Sequence, residues 1–502
     1  MSLPVMQESA AKCVWNSSLE FLRTLEPSLS LTDTFAFSRR CIKPINTPDL
    51  PRESITNISG PFFTHKPTEL SFSSCPSTTL PPCEPLPLPV TPAYPQDKEY
   101  THLLFGVAST YERIQSSLPA FQHWLSGTSA RIIIVISDAH RLAPKYTLLD
   151  LEKQYRKAGI QATILKPQIQ HGLPRKDETE IEKNKRLGVA APVEELHFLL
   201  VGTLAEYATK ETKWLGIVDD DTFFPSLYAL SESLSVHDHT KPVWLGALAD
   251  NWHSLTLFGH QAYGGAGIFL SPPLVSTLTG KPNNNNNNNI LHSCIFSSTS
   301  KTGDSLLRDC ITTHTPARLK ILPGLNQHDL RSDASGFFES NPFPLLSIHH
   351  WKSWYKSPVV SISLVAKLCG DCLLRRYMFE GDEVVWVNGY SVSQYSEGVL
   401  SGIDLDRVEG TWEGAAEEEE EKKKTKGVGG YEFAYGGLRP KLTDKERKRW
   451  KLVDARIERV KVKDGGGDNK GKRKLLRQVY VWYDKERGGK GKDGVVVVEW
   501  EF

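Results

Sequence analysis

The chain has 502 residues, 39% of them apolar and 24% charged, which is ordinary globular composition and room for two or three folded units. A net charge of +1 lacks the basic excess or stripe of a nucleic-acid binder. No run reaches about 18 consecutive apolar residues, and no basic-then-apolar leader opens the chain, so neither a membrane helix nor a signal peptide is readable.

Twelve tryptophans are many for this length; they suit sugar-stacking faces or plain core filling. The eight cysteines are Cys13, Cys41, Cys75, Cys83, Cys294, Cys310, Cys369 and Cys372, too sparse for a disulfide scaffold. Their even number fits a lumenal location, as do the sequons Asn16-Ser17-Ser18 and Asn57-Ile58-Ser59.

Residues 1–98 are rich in Ser, Thr and Pro, most densely from Ser71 to Pro95. Such composition buries too little apolar surface to offset ordering entropy, so a disordered stem or linker is expected. The pattern changes at Leu103. Leu103–Ala108 reads as a buried strand, Arg113–Trp124 as a helix, Ile132–Ile136 as a second buried strand and Ala162–Leu165 as a third. Alternating strands and helices, apolar on both strand faces, predict an α/β domain over 99–360 with a mostly parallel sheet.

His171–Arg186 reads as a charged surface insertion. Glu194–Thr209 is predicted helical. Trp214–Val218 is predicted as a strand leading directly into Asp219, Asp220 and Asp221, with Thr222 capping a helix over Phe223–Leu234. Val243–Leu248 and Ala262–Leu270 are further expected strands. The seven asparagines Asn283–Asn289 form a low-complexity loop insertion within 281–290. Residues 361–502 read as an irregular extension. It holds the charge block Glu417–Lys424 and a late hairpin of Gln478–Tyr483 and Val495–Trp500, joined by a Gly/Lys-rich loop.

Three adjacent carboxylates repel one another and raise each other's pKa, a cost that a divalent cation removes. Hard cations such as Mg²⁺ or Mn²⁺ take oxygen ligands, and open α/β sheets bind ligands at strand carboxyl ends. The competing reading is an acidic helix start. Four other places carry chemistry. Gly264-Gly265-Ala266-Gly267 allows close backbone approach to a ligand, or simply makes a turn. Asp304, in Gly303-Asp304-Ser305, is a base or a helix cap. His349 in Ser347-Ile348-His349 is a transition-metal ligand or a structural histidine. Ser109 closes the first strand, where its hydroxyl and nearby amides meet a nucleotide or begin a helix. Cys369-Gly370-Asp371-Cys372 lacks the second pair of a zinc site, and structural roles are favoured, with disulfides an option in an oxidising lumen.

In order and spacing, Gly106-Val107-Ala108-Ser109, Gly216–Asp221, Gly264–Gly267, Gly303–Ser305 and Ser347–His349 resemble the Fringe-like β-1,3-glycosyltransferases of family 31, fungal type. The resemblance covers about residues 100–355 and implies a GT-A fold with inverting transfer from a UDP-sugar to a glycan or glycoprotein acceptor. It implies a Mn²⁺ (or Mg²⁺) site at Asp219, Asp221 and His349, the D-x-D-type motif, and a base at Asp304. Nucleotide contacts would fall on Gly106, Ala108, Ser109, Arg113, Asp219, Asp220, Gly264 and Gly265. Relatives often carry two adjacent acids at the base position, where this chain has Asp304 followed by Ser305. Trp252 and Trp351 are acceptor-stacking candidates or core residues. Golgi or ER placement with membrane anchoring is implied, although no anchor is readable here. The alternatives are an inactive carbohydrate-binding relative of the same fold and a phosphoryl-transfer enzyme. The last lacks a G-K-[ST] phosphate cradle.

Overall fold

A computed structural model describes residues 17–51, 55–73, 80–96, 99–139, 142, 147–167, 193–280, 290–297, 302–340, 344–415, 430–461, 472–484 and 491–502. The insertion His171–Arg186, the asparagine run, the charge block Glu417–Lys424, the Asn16 position and residues 74–79 of the Pro-rich run lie outside them. No helix among the described residues is long and apolar enough to cross a membrane.

The chain divides into two compact units. One comprises residues 1–93, 368–403 and 442–502, and the other 94–367 and 404–441. This differs from the sequence expectation of a stem, a central domain and a separate extension, because the two ends of the chain build one unit. Helix α1 (Ser17–Leu29) and strands β1 (Thr34–Asn46), β2 (Thr56–Ile58), β3 (Thr68–Ser71) and β4 (Pro85–Val90) lie within the expected stem. β1 pairs in parallel with the last strand of the chain, Ala36 opposite Gly494 through Ile42 opposite Trp500. Phe21, Leu22, Leu25 and Leu29 of α1 pack with Phe35 and Phe37 of β1 and with Val479, Val481, Val495 and Val497. That burial offsets the ordering entropy that composition alone leaves unmet. The Cys41–Cys83 and Cys369–Cys372 disulfides belong to this unit.

The second unit carries the expected α/β domain. Its strands are β5 (Leu103–Ser109), β6 (Arg131–Ile136), β7 (Gln161–Leu165), β8 (Trp214–Ile217), β9 (Trp244–Gly246), β10 (Ile268–Leu270) and β11 (Leu319–Ile321). They form one sheet in the order β11-β9-β10-β8-β5-β6-β7. β5 pairs in parallel with both β6 and β8, and β10 runs antiparallel to β8 and β9. Every residue of β5 and β8 is buried, as strands covered on both faces require. Helices α2 (Tyr111–Leu125), α3 (Leu148–Lys157), α4 (Val193–Tyr207), α5 (Leu227–Ser235), α6 (Trp252–Phe258), α7 (Pro272–Thr279), α8 (Ile290–Ser297) and α9 (Gly303–His314) surround it. Alternation along β5 splits its side chains between two helix layers. Leu104 and Ala108 join the cluster of Leu196, Leu200 and Leu204 from α4. Phe105 points the other way and meets Trp124 of α2 edge-on at 5.0 Å. This mixed, mostly parallel sheet between helix layers is the α/β architecture expected from the sequence. The Cys294–Cys310 disulfide joins α8 to α9.

The remaining strands of the first unit are β12 (Arg376–Phe379), β13 (Val384–Val387), β14 (Ser391–Tyr395), β15 (Arg447–Lys461), β16 (Lys472–Trp482) and β17 (Gly494–Glu501). With β1–β4 they make a ten-stranded sheet. The late hairpin is real: β16 and β17 pair antiparallel from Leu475 opposite Glu501 to Trp482 opposite Gly494.

Three local expectations shift. The helix predicted over Phe223–Leu234 covers only Leu227–Ser235, capped by Ser226 Oγ accepting from Ala229 N. Pro225 disfavours helical geometry at Phe224, and Phe223 pairs elsewhere. The strand predicted over Ala262–Leu270 covers only Ile268–Leu270, because Gly264–Gly267 turns the chain, with Gly267 at φ +103°. The strand predicted over Val243–Leu248 covers Trp244–Gly246.

Leu204 is fully buried and fills the space left by the missing Cβ of Gly106, where a Cβ would lie 3.0 Å from Leu204 Cδ1. Leu204→Ala is therefore expected to destabilise this unit by about 2–5 kcal/mol in chemical denaturation. A loss under ~1 kcal/mol would contradict the packing of α4 on β5.

Candidate active site

The acids follow β8 directly, and hydrogen bonding from Val218 N to Gly106 O (3.0 Å) carries the ladder one residue beyond the strand. Because β10 runs against β8, with Ile268 opposite Ile217, the turn that starts β10 lies beside the end of β8. Thr222 ties the two together rather than capping a helix. Its Oγ1 accepts from Asp219 N at 2.9 Å and donates to Gly265 O at 2.9 Å.

The third strand of chain at the site comes from over a hundred residues downstream. Phe223 and Ile348 form an isolated antiparallel bridge, with Phe223 N donating to Ile348 O (2.9 Å) and Ile348 N to Phe223 O (2.8 Å). That pairing sets His349 beside Asp221. His349 Nε2 lies 3.1 Å from Asp221 Oδ1 and 3.5 Å from Asp219 Oδ2. Its Nδ1 donates to Gln327 O at 3.0 Å, and Tyr355 donates to its carbonyl at 2.6 Å. With Nδ1 committed to a carbonyl, Nε2 is the ring nitrogen that faces the carboxylates, the usual orientation of a metal-ligating histidine.

The donor set fits a divalent cation. Two carboxylates and an imidazole suit Mn²⁺ or a similar ion. An octahedral ion with bonds of about 2.1 Å places adjacent ligands about 3 Å apart, close to the separations around His349 Nε2. Among the described residues the group whose ligand atoms lie within 4.8 Å of one another is Asp221, His349 and His350; Asp219 falls outside it and reaches the group through His349 alone. His350 takes left-handed backbone geometry, φ 56°, and its ring stacks on Trp354 at 3.9 Å while facing Asp329 at 3.6 Å. Electrostatics agree. Burial opposes charge on His349, but the two carboxylates outweigh it and push its pKa up to about 10. Burial likewise opposes charge on Asp219 and Asp221. The nearby imidazoles of His197 and His349 hold Asp219 below its usual range, and His349 does the same for Asp221. A proton on His349 supplies positive charge between the two acids.

Gly264 and Gly265 are needed for a reason the sequence did not show. A Cβ on Gly265 would sit 2.1 Å from His349 Cε1, and one on Gly264 would sit 2.3 Å from His197 Nε2. Two imidazoles are seated flush against the glycine turn. Asp304, the second residue of α9, accepts from Gly264 N at 3.2 Å through both carboxylate oxygens. Burial, which outweighs the charge of His197, pushes its pKa up to about 6.

Asp220 turns away from this cluster. Arg113 binds it with Nε and Nη2, each at 2.6 Å, and Ser109 Oγ donates to the same carboxylate. The structure thus brings Ser109, Arg113 and Asp220 together, with 60% of the Arg113 side chain accessible. Gly106 and Ala108 do not join them. Both are buried in β5, Gly106 against Leu204 and Ala108 in the hydrophobic cluster, so packing explains them and direct nucleotide contact does not. Trp252 is 44% exposed, while Trp351 is half-buried, edge-on to Phe223.

Four contributors escaped sequence reading. Thr222 was taken for a cap. His350 and Lys352 follow His349 directly, and Lys352 Nζ reaches Ser117 Oγ and Asp220 O. His197 bridges Asp219 and Asp304; its one sequence signal is a lone imidazole in the apolar run Leu196–Val201.

A family described as "Protein of unknown function, DUF604" matches residues 253–359, less than half of the chain. That stretch holds the glycine turn, Asp304 and His349, but not the triple acid. Comparison with curated proteins gives no match. Among solved structures, the chain is similar to a mannosyltransferase from Pyrobaculum calidifontis in complex with GDP-Man and Mn²⁺, at 11% identity and TM-score 0.26, covering 46% of this chain and 57% of that one. It is similar to mouse xyloside xylosyltransferase 1 at 11% identity and TM-score 0.26, covering 44% and 84%. It is also similar to the glycosyltransferase GlyE of Streptococcus pneumoniae TIGR4 at 12% identity and TM-score 0.28, covering 54% and 61%. Overlaps this slight carry no weight for function. The chain spans less than two thirds of the mannosyltransferase and of GlyE.

Gly265→Ala should displace the His349 ring and weaken Mn²⁺ binding about 10–100-fold by calorimetry, the range for disturbed outer-shell partners. Gly60, with nothing within 4 Å of a Cβ, gives the control Gly60→Ala. Equal affinities for the two variants would refute this role of the glycine turn.

Proposed function

We propose that the chain is an inverting glycosyltransferase moving a hexose, galactose or a related sugar, from a UDP donor to a carbohydrate hydroxyl with formation of a β-1,3 linkage. One observation carries the reading: His349 Nε2 lies at 3.1 Å and 3.5 Å from two carboxylates delivered by the end of β8. The α/β sheet supports it, as does the order of five motifs shared with Fringe-like family 31 enzymes.

Asp219, Asp221 and His349 would hold Mn²⁺ or Mg²⁺, and a bound cation supplies Lewis-acid neutralisation of charge gathering on the diphosphate. Arg113, braced by Asp220, adds a cationic group beside the acids. Asp304 takes the proton of the acceptor hydroxyl as its oxygen bonds to the anomeric carbon, and the bond to the diphosphate breaks with its electron pair leaving on UDP. Attack opposite the leaving group inverts the centre. A carboxylate with pKa raised to about 6 is ionised at neutral pH yet basic enough for this work. Three disulfides among the described residues favour an oxidising lumen such as Golgi or ER.

A panel of UDP-sugars screened for metal-dependent UDP release tests the reading directly. EDTA should abolish release and Mn²⁺ restore it. Asp221→Ala should lose activity while keeping its fold by circular dichroism; full activity in that variant would remove the metal assignment. Asp304→Asn should cut turnover by about 10²–10⁴ while leaving UDP binding intact. Metal-dependent UDP binding with no turnover on any donor and acceptor would instead identify an inactive binding relative.

A further inference from the structure

α4 is a core helix. Leu196, Phe198, Leu200, Val201 and Leu204 are all buried in one apolar cluster. His197 interrupts this row at 8% exposure. Burying an imidazole is unfavourable unless its nitrogens find partners, so a leucine would serve packing better. Its two nitrogens face two acids of different assignment: Nε2 lies 3.4 Å from Asp219 Oδ1, and Nδ1 lies 3.5 Å from Asp304 Oδ1. Gly264 is shaped to the same ring, since a Cβ there would overlap His197 Nε2. The Gly264 N–H in turn donates to Asp304. Histidine, glycine and acid therefore form one interlocked set, built from α4, the turn before β10 and the start of α9.

We propose that His197 is a positioning residue for the base, its Nδ1 side fixing the Asp304 carboxylate through Oδ1 so that Oδ2 receives the acceptor proton. This rests on the assignment of Asp304 as base. The separations are longer than the 2.7–3.2 Å of a formed hydrogen bond, and catalytic contacts of this kind tighten when substrate binds. His197 acts on the reaction only through Asp304 and touches neither donor nor acceptor in the assigned geometry.

The two ring nitrogens allow a direct test. An asparagine amide reaches the place of Nδ1, and a glutamine amide reaches the place of Nε2. His197→Ala and His197→Gln should lower kcat for sugar transfer about 10–100-fold, the range for a lost orienting partner, with KM for the UDP-sugar and affinity for Mn²⁺ changed less than about threefold. His197→Asn should recover at least about tenfold of a hundredfold loss, because it restores a donor to Asp304. Equal losses in the Asn and Gln variants would overturn the proposal, as would a loss confined to KM or to Mn²⁺ affinity. An Asn variant that fails to fold makes the residue structural and overturns it too. Asp304→Asn separates the two claims. If that variant keeps full turnover, the base assignment itself fails. If it loses turnover while His197→Ala stays within twofold of wild type, only the positioning role fails.

Discussion

Two backbone hydrogen bonds between Phe223 and Ile348 hold the site together. They exchange N–H and C=O between the segment leaving the triple acid and one that arrives over a hundred residues later. An isolated bridge is a weak element by itself, but this one is enclosed: Phe223 and Ile348 are fully buried, so leaving either amide unpaired is expensive. The bridge sets a register in which His349 meets Asp221. The left-handed turn at His350 then carries the chain away and lets Trp354 stack on the second imidazole. Backbone pairing thus selects which residue completes the acidic pair.

Electrostatics follow from that placement. Acids held near one another at a strand end must share positive charge or lose their own. The protein solves this twice, in different ways. Asp220 is neutralised internally by the fork of Arg113. Asp219 and Asp221 are left facing two histidines, His197 and His349, whose rings lie tight against glycines. One run of three identical residues is split between an arginine and two histidines by which way each side chain leaves the chain.

Much of this was legible from residue order. Leu103–Ala108, Ile132–Ile136 and Trp214–Val218 read as buried strands because a strand covered on both faces is a continuous apolar run, and they are the centre of the sheet. Asp219 and Asp221 lie beside His349, and Asp304 shares His197 with Asp219. The misreadings share a cause. Gly106 and Ala108 looked like ligand contacts because a small residue reads the same whether a ligand or a leucine fills the space beside it. Thr222 looked like a helix cap because a hydroxyl before a hydrophobic run has no address until its partners are placed. Residues 1–98 looked like a stem because composition reports how much apolar surface a segment owns, and the strand that pairs in parallel with β1 is the last one in the chain.

The sequence by itself determined what is local. It settled the buried strands β5, β6 and β8 and the acidic end of β8. Only the tertiary structure decided what is distant: that the two ends of the chain share a sheet, that Asp220 belongs to Arg113, and that His197 stands between Asp219 and Asp304. The reason is physical. Propensity and periodicity act over one or two turns, whereas a site is made of contacts between residues separated by tens to hundreds of positions, and those depend on which backbone groups pair when the core closes.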